Sequence, residues 1–121
     1  MKRNSFRELE AYKEGKKLIG EVYRLLKKFP KEEQYAMCNQ LRRSAISITS
    51  NIAEGSGRTS PKEKVHFLEI SYGSLMEVLS QMDVACDLKY ITNEEFNNLV
   101  VMVENVGRPL SGLKNYFNSN L

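Results

Sequence analysis

The sequence predicts an all-α protein, an antiparallel up-down-up-down bundle of four helices, and three observations predict it. Apolar residues recur at steps of three and four along most of the chain, which puts them on one side of successive helices. No stretch keeps the period of two that a half-buried strand requires. Turn and capping signals interrupt the pattern near Pro30, across 55–60 and across 89–93, so that helices of similar length are joined by short loops. The expected helices are 6–29, 32–54, 61–90 and 93–118, in one domain spanning 1–121. At 121 residues and 41% apolar composition, one core suffices without disulfide or metal staples.

In the first helix Ser5 and Glu8 have the spacing of a capping box. Ala11, Gly15, Leu18, Val22, Leu25 and Phe29 carry the apolar stripe to Pro30, which ends it. The second helix opens on acidic Glu32 and Glu33, as the helix dipole prefers. It holds Leu41, Ala45, Ile48 and Ile52 on one stripe and Gln40, Ser44, Ser47 and Asn51 on another. Ser and Asn are poor mid-helix residues, and a row of them marks close approach of a neighbour or side-chain hydrogen bonding. Glu54, Gly55, Ser56 and Gly57 are expected to stop this helix, with Gly supplying a left-handed residue.

Ser60, Pro61 and Glu63 combine an N-cap, a proline at the first helical position and a capping-box partner. Val65, Leu68, Tyr72, Leu75, Leu79, Met82 and Cys86 then follow in heptad rhythm. Phe67, Ile70, Ser74, Val78, Ala85 and Leu88 form a second stripe, so the third helix must be covered on two sides, inside the bundle or by another subunit. Thr92 and Glu95 make a further capping box. Phe96, Leu99, Val103, Val106, Leu110, Leu113 and Phe117 form the stripe of the last helix, which Pro109 is expected to kink or break because it cannot donate to the carbonyl of Asn105.

The net charge of +3 is unevenly placed: residues 1–30 hold nine Lys or Arg against four Glu, whereas 59–90 hold three against five acidic residues. The basic surplus of the first helix reads as a solvated face or as a surface that meets phosphate. No apolar run is long enough to span a membrane, and the basic N-terminus lacks the apolar core of a signal peptide, so a cytoplasmic protein is expected. Cys38 and Cys86 fall on apolar stripes without a CxxC and read as reduced core residues.

Catalytic chemistry finds few converging groups. His66 is the single histidine and sits beside Lys64 at the start of a helix, and Glu69 and Glu77 have no ExxH companion. GSG at 55–57 lacks the GK[ST] of a phosphate loop, although Arg58 and Lys62 near a helix N-terminus are placed to meet a phosphate. No enzyme activity, cofactor or metal is expected. The row Gln40, Ser44, Ser47, Asn51 either packs internally against the third helix, satisfied by Ser74 and Glu77, or faces another subunit.

QLRRSAISITSNIAEGSGR at 40–58, followed by FLEISYGSLMEV at 67–78, resembles the bacterial four helix bundle proteins encoded in intervening sequences of 23S ribosomal RNA genes. Phe6, Leu9, Tyr12 and the Phe29, Pro30 pair extend the resemblance over nearly the whole chain. Ser71 stands where the family often has Ala. The resemblance implies a bundle that assembles as a homo-oligomeric ring, typically a homopentamer, similar also to the basic accessory proteins of diversity-generating retroelements. The expected function is a non-enzymatic RNA- or DNA-associated protein. Lys13, Lys16, Lys17, Lys27, Lys28, Arg42, Arg43 and Arg58 are its candidate phosphate contacts, and Gln40, Ser44, Ser47, Asn51, Glu54, Gly55, Ser74 and Glu77 its structural and assembly motif. The alternative is a ring that holds a protein partner. Arg42, Arg43 and Glu54 also read, separately, as intersubunit ion pairs and not as binding residues.

Overall fold

The computed structural model describes residues 5–119, which form four α-helices and, among the described residues, no strand. They are α1 (Glu10–Leu26), α2 (Met37–Ser56), α3 (Pro61–Asp87) and α4 (Asn93–Asn118). Each helix packs against the two that flank it in a closed cycle, α1 on α2, α2 on α3, α3 on α4 and α4 on α1. One apolar core runs down the middle, with Leu18, Leu25, Leu41, Ile48, Ile52, Leu75, Met82, Leu99 and Leu110 fully buried. Each such side chain contributes about 2 kcal/mol relative to exposure.

The helix ends differ from expectation at four places. Ser5–Glu8 forms a separate 3₁₀ turn, and α1 starts after an extended Leu9 whose side chain makes no capping bond. Lys31–Glu33 is another 3₁₀ turn; Ala36, at φ −121° and ψ −98°, lies outside helical geometry, so α2 begins at Met37. This link is tied down by its neighbours, since the Arg42 guanidinium donates to the Gln34 side-chain oxygen at 3.1 Å and Tyr90 donates to Glu33 at 2.9 Å.

Gly55 does not stop α2. The helix continues to Ser56, and no described glycine has positive φ. A Cβ at Gly55 would stand 3.0 Å from Phe67 Cβ and 3.4 Å from the Lys64 carbonyl, so the residue serves close packing of α2 on α3. The left-handed residue is instead Lys89 at φ 67°, the single non-glycine position of this kind among the described residues. There the Lys89 N–H donates to Cys86 O at 3.0 Å and the Tyr90 N–H to Ala85 O at 2.9 Å, the two bonds of a Schellman motif closing α3.

Pro109 lies inside an unbroken α4. The Asn105 backbone that loses its partner is on the exposed side, where water can take the carbonyl, while Val103, Val106 and Leu110 keep the buried stripe continuous across the proline. Among the described residues no helix is long and apolar enough to cross a membrane.

Candidate nucleic-acid interface

The basic residues of α1 divide according to whether a carboxylate already meets them. Lys17 Nζ lies 2.8 Å from Glu14 and is 68% exposed; Arg24 makes two 2.8 Å bonds to Glu21. These hydrogen bonds to carboxylate, one turn back on the same helix, raise the pKa of both cations. Lys13 pairs with Glu8 at 3.8 Å, and Lys28 reaches across to α4, where it lies 2.6 Å from Glu95. Glu95 also completes the capping box with Thr92, so the Lys28 hydrogen bond first and the Thr92 backbone bond second hold its carboxyl below the ordinary range.

Lys16, Lys27 and Arg43 are different. All three are exposed, and none has an ion pair among the described residues. Lys16 Nζ sits 5.3 Å from the centre of the Tyr12 ring, which positions the ammonium without neutralising it. Arg42 is half-buried against Gln34. Arg58 is the most heavily engaged, 2.9 Å from Glu54, 3.9 Å from Glu63 and 4.7 Å over the Phe67 ring, with its Nε buried and without a hydrogen-bond partner. The phosphate contact foreseen at Arg58 and Lys62 would therefore compete with two carboxylates.

The small-polar row of α2 faces α3. Ser44 donates to Glu77 at 3.2 Å, Ser74 to Ser47 at 2.8 Å, and the Asn51 amide to both the carbonyl and the hydroxyl of Ser47 at 2.8 and 2.9 Å. Partner numbers rise along α3 as they fall along α2. Gln40 and Glu54 lie at the exposed edge of this seam. Ser71 is its most buried member, fully enclosed and donating to the Ile48 carbonyl at 2.7 Å. In sequence it stands out only as a departure from the family's Ala, between the two apolar stripes of α3; the signal for its place in the seam is its position three residues before Ser74.

On its other side α3 meets α4 less completely. An open groove of about 680 Å³ runs between them, lined by Tyr72, Leu75, Met76, Val100, Val103 and Gly107 among others. Tyr72, on its wall, is 41% exposed. The second stripe of α3 is largely covered within the subunit, because Ser74, Val78 and Ala85 are buried, and the apolar residues left outside are Ile70, Tyr72, Val84 and Leu88.

Among the described residues no group of three or more His, Cys, Asp or Glu is gathered as metal ligands. His66 is exposed and packs edge-on to Phe67, with ring centres 5.5 Å apart. The family model described as 23S rRNA-intervening sequence protein matches residues 7–112. No curated protein matches the chain.

Proposed function

The chain belongs to the 23S rRNA-intervening sequence protein family, and from that premise we propose that it is a non-enzymatic, oligomeric RNA-associated protein of the cytoplasm, its ligand related to ribosomal RNA. The observation that carries the reading is that three of the expected phosphate contacts, Lys16, Lys27 and Arg43, are open to solvent and meet no carboxylate. A phosphate backbone neutralises such charges with release of counterions, whereas most other basic residues here already have partners. The subunit is an antiparallel up-down-up-down bundle, supported by the opposite running of hydrogen-bond partners along α2 and α3.

The subunits assemble as a ring, a homopentamer by family resemblance. The open α3–α4 groove, lined by Tyr72, Leu75 and Met76 among others, supports assembly, since contiguous apolar surface on a small domain calls for a cover. A ring would repeat each weak basic patch and raise affinity by avidity. The groove also favours a second reading, in which the ring holds a protein partner and the basic residues serve solubility alone.

Light scattering of the purified protein, alone and with a short structured ribosomal RNA fragment at low and at physiological salt, tests both. The expected result is a multimer that takes up RNA and loses it steeply as salt rises. A multimer indifferent to RNA at low salt overturns the RNA reading in favour of the protein partner, and a single-chain mass overturns the ring.

A further inference from the structure

Resting on the RNA reading above, we propose that the outward stripe of α1 formed by Lys16, Gly20, Tyr23 and Lys27 binds an unpaired segment of RNA, with the two lysines on phosphates and Tyr23 stacked against a base between them. The residues recur at steps of four, three and four, which places them on one side of the helix. Lys16 and Lys27 stand eleven residues apart, about 16 Å along the helix axis. Lys16 lies in α1 and Lys27 is the residue that caps its C-terminus; neither meets a carboxylate, whereas Lys13, Lys17, Arg24 and Lys28 on the flanking rows are each paired.

Tyr23 lies one turn before Lys27 and is 40% exposed, which puts an aromatic side chain at the surface between the two lysines. Gly20 adds room: no heavy atom lies within 4 Å of where its Cβ would stand, and the bare backbone lets a ligand settle between the lysines. Phosphate charge alone would suit any nucleic acid. A ring between the charges selects a strand whose bases are unstacked and available, because a duplex keeps its base faces closed and offers phosphates and sugar edges.

The test is binding of a labelled 12-nucleotide oligouridine RNA and of a 12-base-pair RNA duplex to the full chain by fluorescence anisotropy across a salt series. Oligouridine is expected to bind more tightly than the duplex. Lys16→Gln with Lys27→Gln should weaken it at least tenfold at low salt and reduce the salt slope by about 1.4, the loss of two single-strand phosphate contacts. Tyr23→Ala should weaken it about tenfold with the slope unchanged, and Tyr23→Phe should restore it, which a merely electrostatic surface would not require. Lys31→Gln with Lys89→Gln removes the same net charge elsewhere on the surface and should stay within twofold. All these positions are exposed, and unchanged circular dichroism confirms that each variant folds. If the duplex binds as well as oligouridine and Tyr23→Ala is neutral, this inference is overturned while RNA association stands. If neither RNA binds at low salt, the RNA reading falls and takes this one with it.

Discussion

The two sides of α3 solve the same packing problem in opposite ways. Toward α2 it presents Ser71, Ser74 and the carboxylate of Glu77, and every one finds a partner on the facing helix. Toward α4 it presents Tyr72, Leu75, Met76 and Leu79, larger and fully apolar apart from the tyrosine hydroxyl, yet an open groove of about 680 Å³ remains. Small side chains let backbones come close, and the hydrogen bonds then made are short because the helices are near. Bulky side chains hold the helices apart unless they interdigitate. The polar seam is therefore the closed side of this helix, and the apolar side is the one still open to a further contact.

The largest expected effect comes from forcing bulk into the seam. Ser74→Leu loses the bond to Ser47 and overfills a buried site, and should cost about 3 kcal/mol by urea unfolding; a cost under about 1 kcal/mol would mean the seam is as loose as the groove. At the end of α3, Lys89→Gly removes a side chain from a left-handed residue and should stabilise by about 1 kcal/mol, read as a higher urea midpoint. Glu95 comes next. Its folded pKa is depressed, so its contribution is complete above the unfolded carboxylate range near ~4.3 and is lost as pH falls through the folded value. Glu95→Gln keeps a capping-box residue but loses the charge facing Lys28, and should flatten the acid limb of stability against pH below about pH 4.5 while costing about 0.5 kcal/mol at pH 7. The smallest effect belongs to the open outer side of α4: Val101→Ser should change subunit unfolding by less than about 0.5 kcal/mol where light scattering reads a single-chain mass. A change above 1 kcal/mol there would place Val101 in the subunit's own core and erase the contrast.

Much of the architecture was legible from periodicity. The α4 boundaries follow from Thr92 and Glu95 at one end and the last periodic residue Phe117 at the other, because a capping box is a local device that needs no tertiary help. The same device at Ser5 and Glu8 misled, since a side chain that can cap does so only where the next turns go on as α-helix, and here they form 3₁₀ geometry. Gly55 and Lys89 are the converse pair. Glycine looks like a stop in sequence, but its want of a side chain can equally serve close approach, and a lysine in left-handed geometry leaves no sequence signal at all. The candidate interface was legible as a surplus of charge and not as a surface. Lys17 and Arg24 are neutralised by carboxylates within their own helix, whereas Lys28 is neutralised by Glu95, 67 residues away, a pairing that only the fold creates.

One end of the bundle is latched by a single tyrosine. Tyr90 bonds Glu33 at 2.9 Å and lies 5.2 Å from the Phe29 ring, joining the α3–α4 turn to the α1–α2 link. Cys38 sits in the first turn of α2 and Cys86 in the last turn of α3, both buried beside this latch. Burial also raises the Cys38 pKa, which keeps it a thiol and slow to react. The two cysteines thus form a native clock for local opening: their alkylation rate reports how often this end comes apart while the rest of the bundle stays folded, and Tyr90→Phe, which loses one hydrogen bond and keeps the ring, should make that clock run faster.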